Sequence, residues 1–389
     1  MALKLYFDEA ASLELLHGQT VSILGYGNQG RAQALNLRQS GVSVLVGNRE
    51  DDYRDQAIRD GFEVVSIPEG ARRGDVLLVL TTDESQPVIW DGDIAPGLEP
   101  GNMLVWASGY NVGYGLITPP SDADVVLVAP RMPGSEVRTL YERGGGALAA
   151  VWVHQDATAN AWDRMMAVAK GIGATRVGVF ETSFREEAEL DLFAEQILWP
   201  GLSAWFEACF ELMVEEGFSP ELAVMELYAS GEVSEVFKLI SQEGFYRQML
   251  HHSTTSRYGD LSRTPLMRSQ ELKERARKLL TEDIRGGGFV REWSKEQRTG
   301  AARLAELWEK ALSSPMAARP GASSRARAGS PRKPRPMLAS VIPSCVAAME
   351  SSRRSMARCA ASAPRRPAAF QSFTWLRRTA TRENSVATK

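Results

Sequence analysis

Six residues, Gly25-Tyr26-Gly27-Asn28-Gln29-Gly30, have the spacing G-x-G-x-x-G. The run Val21 to Leu24 precedes them, and a segment carrying Ala32, Ala34, Leu35 and Leu37 at helical spacing follows. Strand, glycine turn and helix in that order suit a dinucleotide pyrophosphate. Gly25 permits the turn, Gly27 lets the backbone approach the phosphates, and Gly30 lets the helix pack on the strand, while the first helical N–H groups face the anion. About 20 residues further on, where the adenosine ribose should lie, the chain reads Asn48-Arg49-Glu50-Asp51-Asp52. Arg49 suits a 2′-phosphate or the face of the adenine, whereas Asp51 or Asp52 suits a free 2′-hydroxyl; the acids favour NADH over NADPH.

A second group is acidic. In the run from Glu186 to Gln196, Asp191 and Glu195 stand four apart and share one face of a helix flanked by Leu192 and Phe193. Two carboxylates so placed repel each other, and a hard cation such as Mg²⁺ between them would relieve the cost; a solvated acidic face is the other reading. Glu226, Glu232 and Glu235 form a further acidic segment open to the same two readings. His251 and His252, beside Ser253, are placed to face a substrate, and no zinc spacing or G-x-S-x-G nucleophile turn is present.

These groups need elements to hold them. Short aliphatic runs alternate with amphipathic segments from residue 19, predicting βαβ units and a parallel sheet with strands at Thr20 to Leu24, Val42 to Val46, Val76 to Leu80, Met103 to Trp106, Asp124 to Val128 and Ala147 to Val153. From Glu186 to about Leu312 the chain reads as successive helices broken at Pro200-Gly201, Gly217 to Pro220, Tyr258-Gly259 and Gly286 to Gly288. The fold class is therefore α/β, a Rossmann-like doubly wound sheet over 1–181 followed by an all-helical domain over 182–312. Residues 313–389 carry 15 Arg or Lys against two acids, with little periodicity, and read as a disordered tail without chemistry.

The net charge of −3 hides this asymmetry, since a tail of +13 leaves −16 on the body. Such a body does not favour nucleic acid or an anionic membrane. No signal segment stands out, no apolar run reaches the length of a membrane span, and three widely spaced cysteines give neither a disulfide framework nor a zinc cluster, so a cytoplasmic protein is expected.

Several separate segments agree in order with one family. GYGNQGRAQALNLRQSGV (25–42), TDESQ (82–86), LVAPRMPG (127–134), ETSFREEAELDLFAEQ (181–196) and SPELAVMEL (219–227) together resemble the ketol-acid reductoisomerases, or acetohydroxy-acid isomeroreductases, over residues 1–312. The resemblance implies a knotted helical domain that also forms a homodimer interface. It implies a Mg²⁺-dependent alkyl migration in 2-acetolactate or its ethyl homologue, coupled to reduction by NADH or NADPH, in branched-chain amino acid biosynthesis. Asp191, Glu195 and Glu226 match three of the family's four metal-binding carboxylates, Ser230 stands at the fourth, and Ser253 matches a substrate-contacting serine.

The chain departs from the family's pattern at other positions. Ser108 replaces a histidine before Gly109-Tyr110-Asn111, Arg131 replaces a lysine, and Ser135 replaces a second histidine. Arg131 keeps the charge but cannot exchange a proton. These departures point to a reductase that transfers hydride to a small 2-keto acid or imine, with isomerisation weakened or lost. In this reading Asp191, Glu195 and Glu226 hold one Mg²⁺ or a cationic substrate, and Ser108, Arg131, Ser253 and His252 shape the pocket. The alternatives are a true reductoisomerase that tolerates Ser108 and Ser230, and a nucleotide-binding protein without catalysis.

Overall fold

A computed structural model describes residues 3–314 and Met316; nearly all of the basic tail lies outside the described residues. The first half of the chain alternates strands and helices: β1 (Leu5–Tyr6), β2 (Val21–Leu24), α1 (Asn28–Gln39), β3 (Val44–Gly47), α2 (Asp52–Arg59), β4 (Glu63–Val65), α3 (Ile67–Arg73), β5 (Val76–Val79), α4 (Gln86–Ile89), β6 (Met103–Trp106), α5 (Tyr110–Gly113), β7 (Asp124–Pro130), α6 (Gly134–Glu142), β8 (Ala149–Gln155), α7 (Ala161–Gly171) and β9 (Val179–Glu181).

The strands form one sheet in the order β1-β9-β8-β7-β6-β5-β2-β3-β4. From β4 to β7 all pairings are parallel. Every residue of β2, β5, β6 and β7 is buried, which is why these runs are apolar without alternation: helices cover both faces. The six expected strands are present. The sheet is mixed rather than wholly parallel, however, because β8 pairs antiparallel with β7 and β1 antiparallel with β9. The physical cause is local. The excursion through α6 leaves and rejoins the sheet at one edge, with Arg131 N–H donating to Leu148 C=O at 2.8 Å, so β8 must run back along β7.

Helices follow from α8 (Phe184–Phe193): α9 (Trp199–Glu215), α10 (Pro220–Val224), α11 (Glu232–Glu243), α12 (Thr254–Met267), α13 (Gln270–Lys278), α14 (Gly288–Arg298) and α15 (Ala302–Leu312). A π-helical turn, Ala194–Leu198, joins α8 to α9 into one helix, Phe184–Glu215, that is long and apolar enough to cross a membrane by length and composition. The run-length expectation missed it because scattered acids interrupt the apolar residues. Helices α11, α12, α13 and α15 bury no residue, and Trp199, Trp205, Phe237, Phe245, Tyr258, Leu266 and Trp308 are exposed.

Candidate active site

The chain turns from β2 into α1 at the glycine motif, on the edge of the sheet where the strand order reverses between β2 and β5. Gly25 has φ +99°, and a Cβ there would lie 2.7 Å from Thr81 N. At Gly30 a Cβ would fall 1.9 Å from the Gly25 carbonyl, so only glycine admits the close approach of helix and turn. A Cβ on Gly27 would meet nothing within 4 Å; the open space above it, at the N-terminus of α1, is a cradle that fits a pyrophosphate. Tyr26 is 1% exposed. Its amide donates to Asn48 Oδ1 at 2.9 Å and its hydroxyl to Asp60 Oδ2 at 2.9 Å, so its side chain belongs to the core. Gln29 donates to Met132 C=O at 2.9 Å, tying the motif to the loop after β7.

The two acids after β3 have different occupations. Asp51 caps α2, accepting from the Tyr53 and Arg54 amides at 3.0 and 3.1 Å, from Asn48 Nδ2 at 2.9 Å and from Arg49 Nε at 2.9 Å. With both oxygens engaged it positions Arg49 and is poorly placed to accept from a ribose, contrary to the expectation for that residue. Asp52 is exposed on the first turn of α2.

Next along the sheet edge, the loops after β5, β6 and β7 carry Asp83, Ser108 and Arg131 toward α8. Arg131 donates Nη2 to Asp191 Oδ1 at 2.6 Å and pairs through Nη1 with Glu187 Oε1. Glu187 is 3% exposed, and its Oε2 accepts from the Gly109 amide at 2.6 Å. Residues 187, 191 and 195 continue the four-residue spacing along one face, and the π turn places Glu195 at its end. Burial pushes Glu187 up to about 7 against the pull of Arg131 and the Gly109 amide. Burial, followed by the charges of Glu84, Glu187, Glu195 and Asp191, pushes Asp83 up to about 7; burial and Asp191 also raise Glu195. Crowded acids of which Asp83, Glu187 and Glu195 are raised are the donor set a divalent cation would relieve. Asp191 and Glu195 therefore fit a Mg²⁺ ion, though as two ligands only.

Arg131 meets this pair at Asp191, whereas Glu226, Ser230, Ser253 and His252 make their hydrogen bonds or turns elsewhere in the helical region. Among the described residues, no three His, Cys, Asp or Glu side chains gather in a metal-binding group. Glu226 lies on the π turn Met225–Ala229, and the Ser230 hydroxyl accepts from the Glu232 amide at 3.4 Å, beside α11. Ser253 caps its own helix α12 through the Ser256 amide at 3.1 Å, and the His252 ring meets Gln248 at 2.9 Å. Two site residues escape the sequence reading. Glu187 carries a usable signal, one turn before Asp191, while Asp83 lies in the TDESQ segment with nothing local to mark its burial.

Comparison with known proteins sets this geometry in context. A family model for the NADPH-binding domain of acetohydroxy acid isomeroreductases matches residues 15–178, and one for the C-terminal domain of ketol-acid reductoisomerases matches residues 184–327. The chain is 46% identical to a putative ketol-acid reductoisomerase 3 of Saccharolobus solfataricus, over 79% of this chain and 93% of that protein. It is also 46% identical to a ketol-acid reductoisomerase (NADP(+)) of Methanopyrus kandleri, with the same coverage. The structure of an NADH-preferring ketol-acid reductoisomerase from an uncultured archaeon superposes with a TM-score of 0.79 at 33% identity, covering 84% of this chain and all of the other.

Proposed function

The chain belongs to the ketol-acid reductoisomerase family, and from that premise we propose that it converts 2-acetolactate, or its ethyl homologue, into the corresponding 2,3-dihydroxy acid. It is an oxidoreductase that uses a nicotinamide dinucleotide. The observation carrying the fuller reading is that the match runs through the helical region as well as the sheet, in relatives whose names include both activities. A reductase that has shed migration, the narrower reading of the replaced residues, has no comparable support.

In this reading Asp191 and Glu195 would hold Mg²⁺, which would supply Lewis-acid polarisation of the substrate, and the bound dihydronicotinamide would supply a hydride. The protein's own groups do the rest. The Arg131 guanidinium, fixed by Glu187, orients Asp191 and offers its remaining N–H donors to a substrate carboxylate. Glu187, locked on the Gly109 amide, holds α8 against the loop that carries Ser108. The exposed apolar helices support a homodimer through the helical region. A face covered in this way fits a cytoplasmic enzyme and accounts for the apolar helix Phe184–Glu215 without a membrane.

Cofactor choice follows from the turn after β3. Asp52, with Glu50 and Asp55 nearby, opposes a 2′-phosphate and offers an acceptor to a 2′-hydroxyl, while Arg49 is held by Asp51 to lie on the adenine. NADH is the cofactor this arrangement favours, as in the archaeal relative of known structure. Incubation with 2-acetolactate, NADH and Mg²⁺, followed by identification of the product by NMR, tests the assignment: 2,3-dihydroxyisovalerate supports it, and unchanged acetolactate refutes it.

A further inference from the structure

Asp83 is an acid surrounded by acids. Glu84 lies on its own loop, Glu187, Asp191 and Glu195 face it from α8 and the turn that follows, and Tyr110 faces it from α5. Arg131 is committed to Glu187 and Asp191. A hydrogen-bonded chain holds Asp83 from behind: Trp106 Nε1 donates to Gln86 Oε1 at 3.0 Å, Asn111 Nδ2 donates to the same oxygen at 2.9 Å, and Asn111 also donates to the Asp83 carbonyl at 3.0 Å. Asn111 Nδ2 stands 3.5 Å from Asp83 Oδ1, and the other carboxyl oxygen stands 3.5 Å from Ser108 Oγ. The backbone behind Asp83 is thus held, and the second carboxyl oxygen faces one hydroxyl.

We propose that Ser108 and Asp83 form a proton relay in which Ser108 touches the substrate oxygen and Asp83, a positioning residue, holds the proton behind it. This rests on the reductoisomerase reading. During migration the substrate's tertiary hydroxyl gives its proton to Ser108 Oγ while Ser108 passes its own to Asp83. The alkyl group leaves the carbinol carbon with its bonding pair and joins the neighbouring carbonyl carbon; the carbinol C–O becomes a carbonyl, and the former carbonyl oxygen takes the proton back. Asp83, ionised again after the migration, then takes a proton from water, and in the reduction that proton passes through Ser108 to the oxygen of the new carbonyl as hydride reaches its carbon, which leaves Asp83 ionised for the next cycle. A carboxyl placed behind a hydroxyl in this way serves both directions of transfer.

The test uses the full-length enzyme and the variants Asp83→Asn, Ser108→Ala, Ser108→Thr and the Asp83→Asn/Ser108→Ala double. Each single removal should lower kcat on 2-acetolactate about 10²-fold. The double should be no slower than the slower single, and Asp83→Asn should lose the near-neutral ionisation from its pH profile. Ser108→Thr, which keeps a hydroxyl, should stay within about tenfold of wild type. Losses that multiply in the double, an unchanged pH profile in Asp83→Asn, or a fully active Ser108→Ala would overturn the relay. Should Asp83→Asn fail to fold, the Ser108→Ala and Ser108→Thr pair decides alone. If the wild type ignores 2-acetolactate but reduces the migrated keto acid, the functional reading fails, and the same non-additivity, measured on that substrate, still decides the relay.

Discussion

Arg131 and Asp191, 60 residues apart in sequence, meet at 2.6 Å, joining the loop after β7 to the first helix of the second half. The same guanidinium pairs with Glu187, which is almost wholly buried. Removing it in Arg131→Ala leaves a buried carboxylate without its cation, which costs about 3 kcal/mol of stability at pH 8. Glu187 titrates near 7, so the penalty should shrink below pH 6 as the acid takes up a proton. Arg131→Lys, keeping the charge without the two-pronged contact, should cost less. Urea unfolding of the three proteins at both pH values checks this.

Cofactor preference should depend on Asp52 rather than Asp51. Asp52→Ser removes a charge at the ribose end without touching the cap of α2, and should raise kcat/KM with NADPH relative to NADH by about tenfold. Asp51→Ala removes the cap and the hold on Arg49, and should lower stability by about 1 kcal/mol while weakening both cofactors alike. Steady-state kinetics with each dinucleotide, and thermal unfolding, separate the two effects.

Stability of the metal-free protein should fall as pH rises through the window set by Asp83 and Glu187. Their folded values of about 7 exceed the ordinary carboxyl value near 4, so the native state binds more protons than the unfolded chain between these limits. Their contribution is greatest at the acid end and lost toward pH 7. Saturating Mg²⁺ should flatten the slope by neutralising the cluster, giving a larger rise in Tm at pH 8 than at pH 6. An equal rise at both would speak against a cation at these carboxylates.

The uncovered helices make a prediction of their own. Wild-type protein should sediment as a dimer, and a charge placed on the apolar face, as in Trp205→Glu, should shift it toward monomer. Sedimentation velocity of the two proteins tests this; a monomeric wild type would contradict it.

Much of the fold and part of the site are legible in the order of residues alone. The glycine turn and the buried central strands announce themselves through local spacing, and Asp191 and Glu195 through the helical repeat. The two-residue β1 and the three-residue β4 and β9 are too short to carry a period. The reversal of β8 depends on where α6 rejoins the sheet. Asp51 reads as a ribose acceptor because sequence does not reveal that α2 begins at the next residue and claims one oxygen while Arg49 takes the other. Asp83 gains its character first from burial and its neighbour Glu84, and then from Glu187, Glu195 and Asp191; the burial and the last three acids, far along the chain, leave no local pattern.

The most direct test follows oxidation of NADH with 2-acetolactate, and separately with the already migrated 2-keto acid, in the presence and absence of Mg²⁺. The account predicts Mg²⁺-dependent oxidation with 2-acetolactate that is lost in Asp191→Asn and Glu195→Gln. Oxidation with the migrated acid alone, or turnover of 2-acetolactate indifferent to Mg²⁺ and to both substitutions, would contradict it.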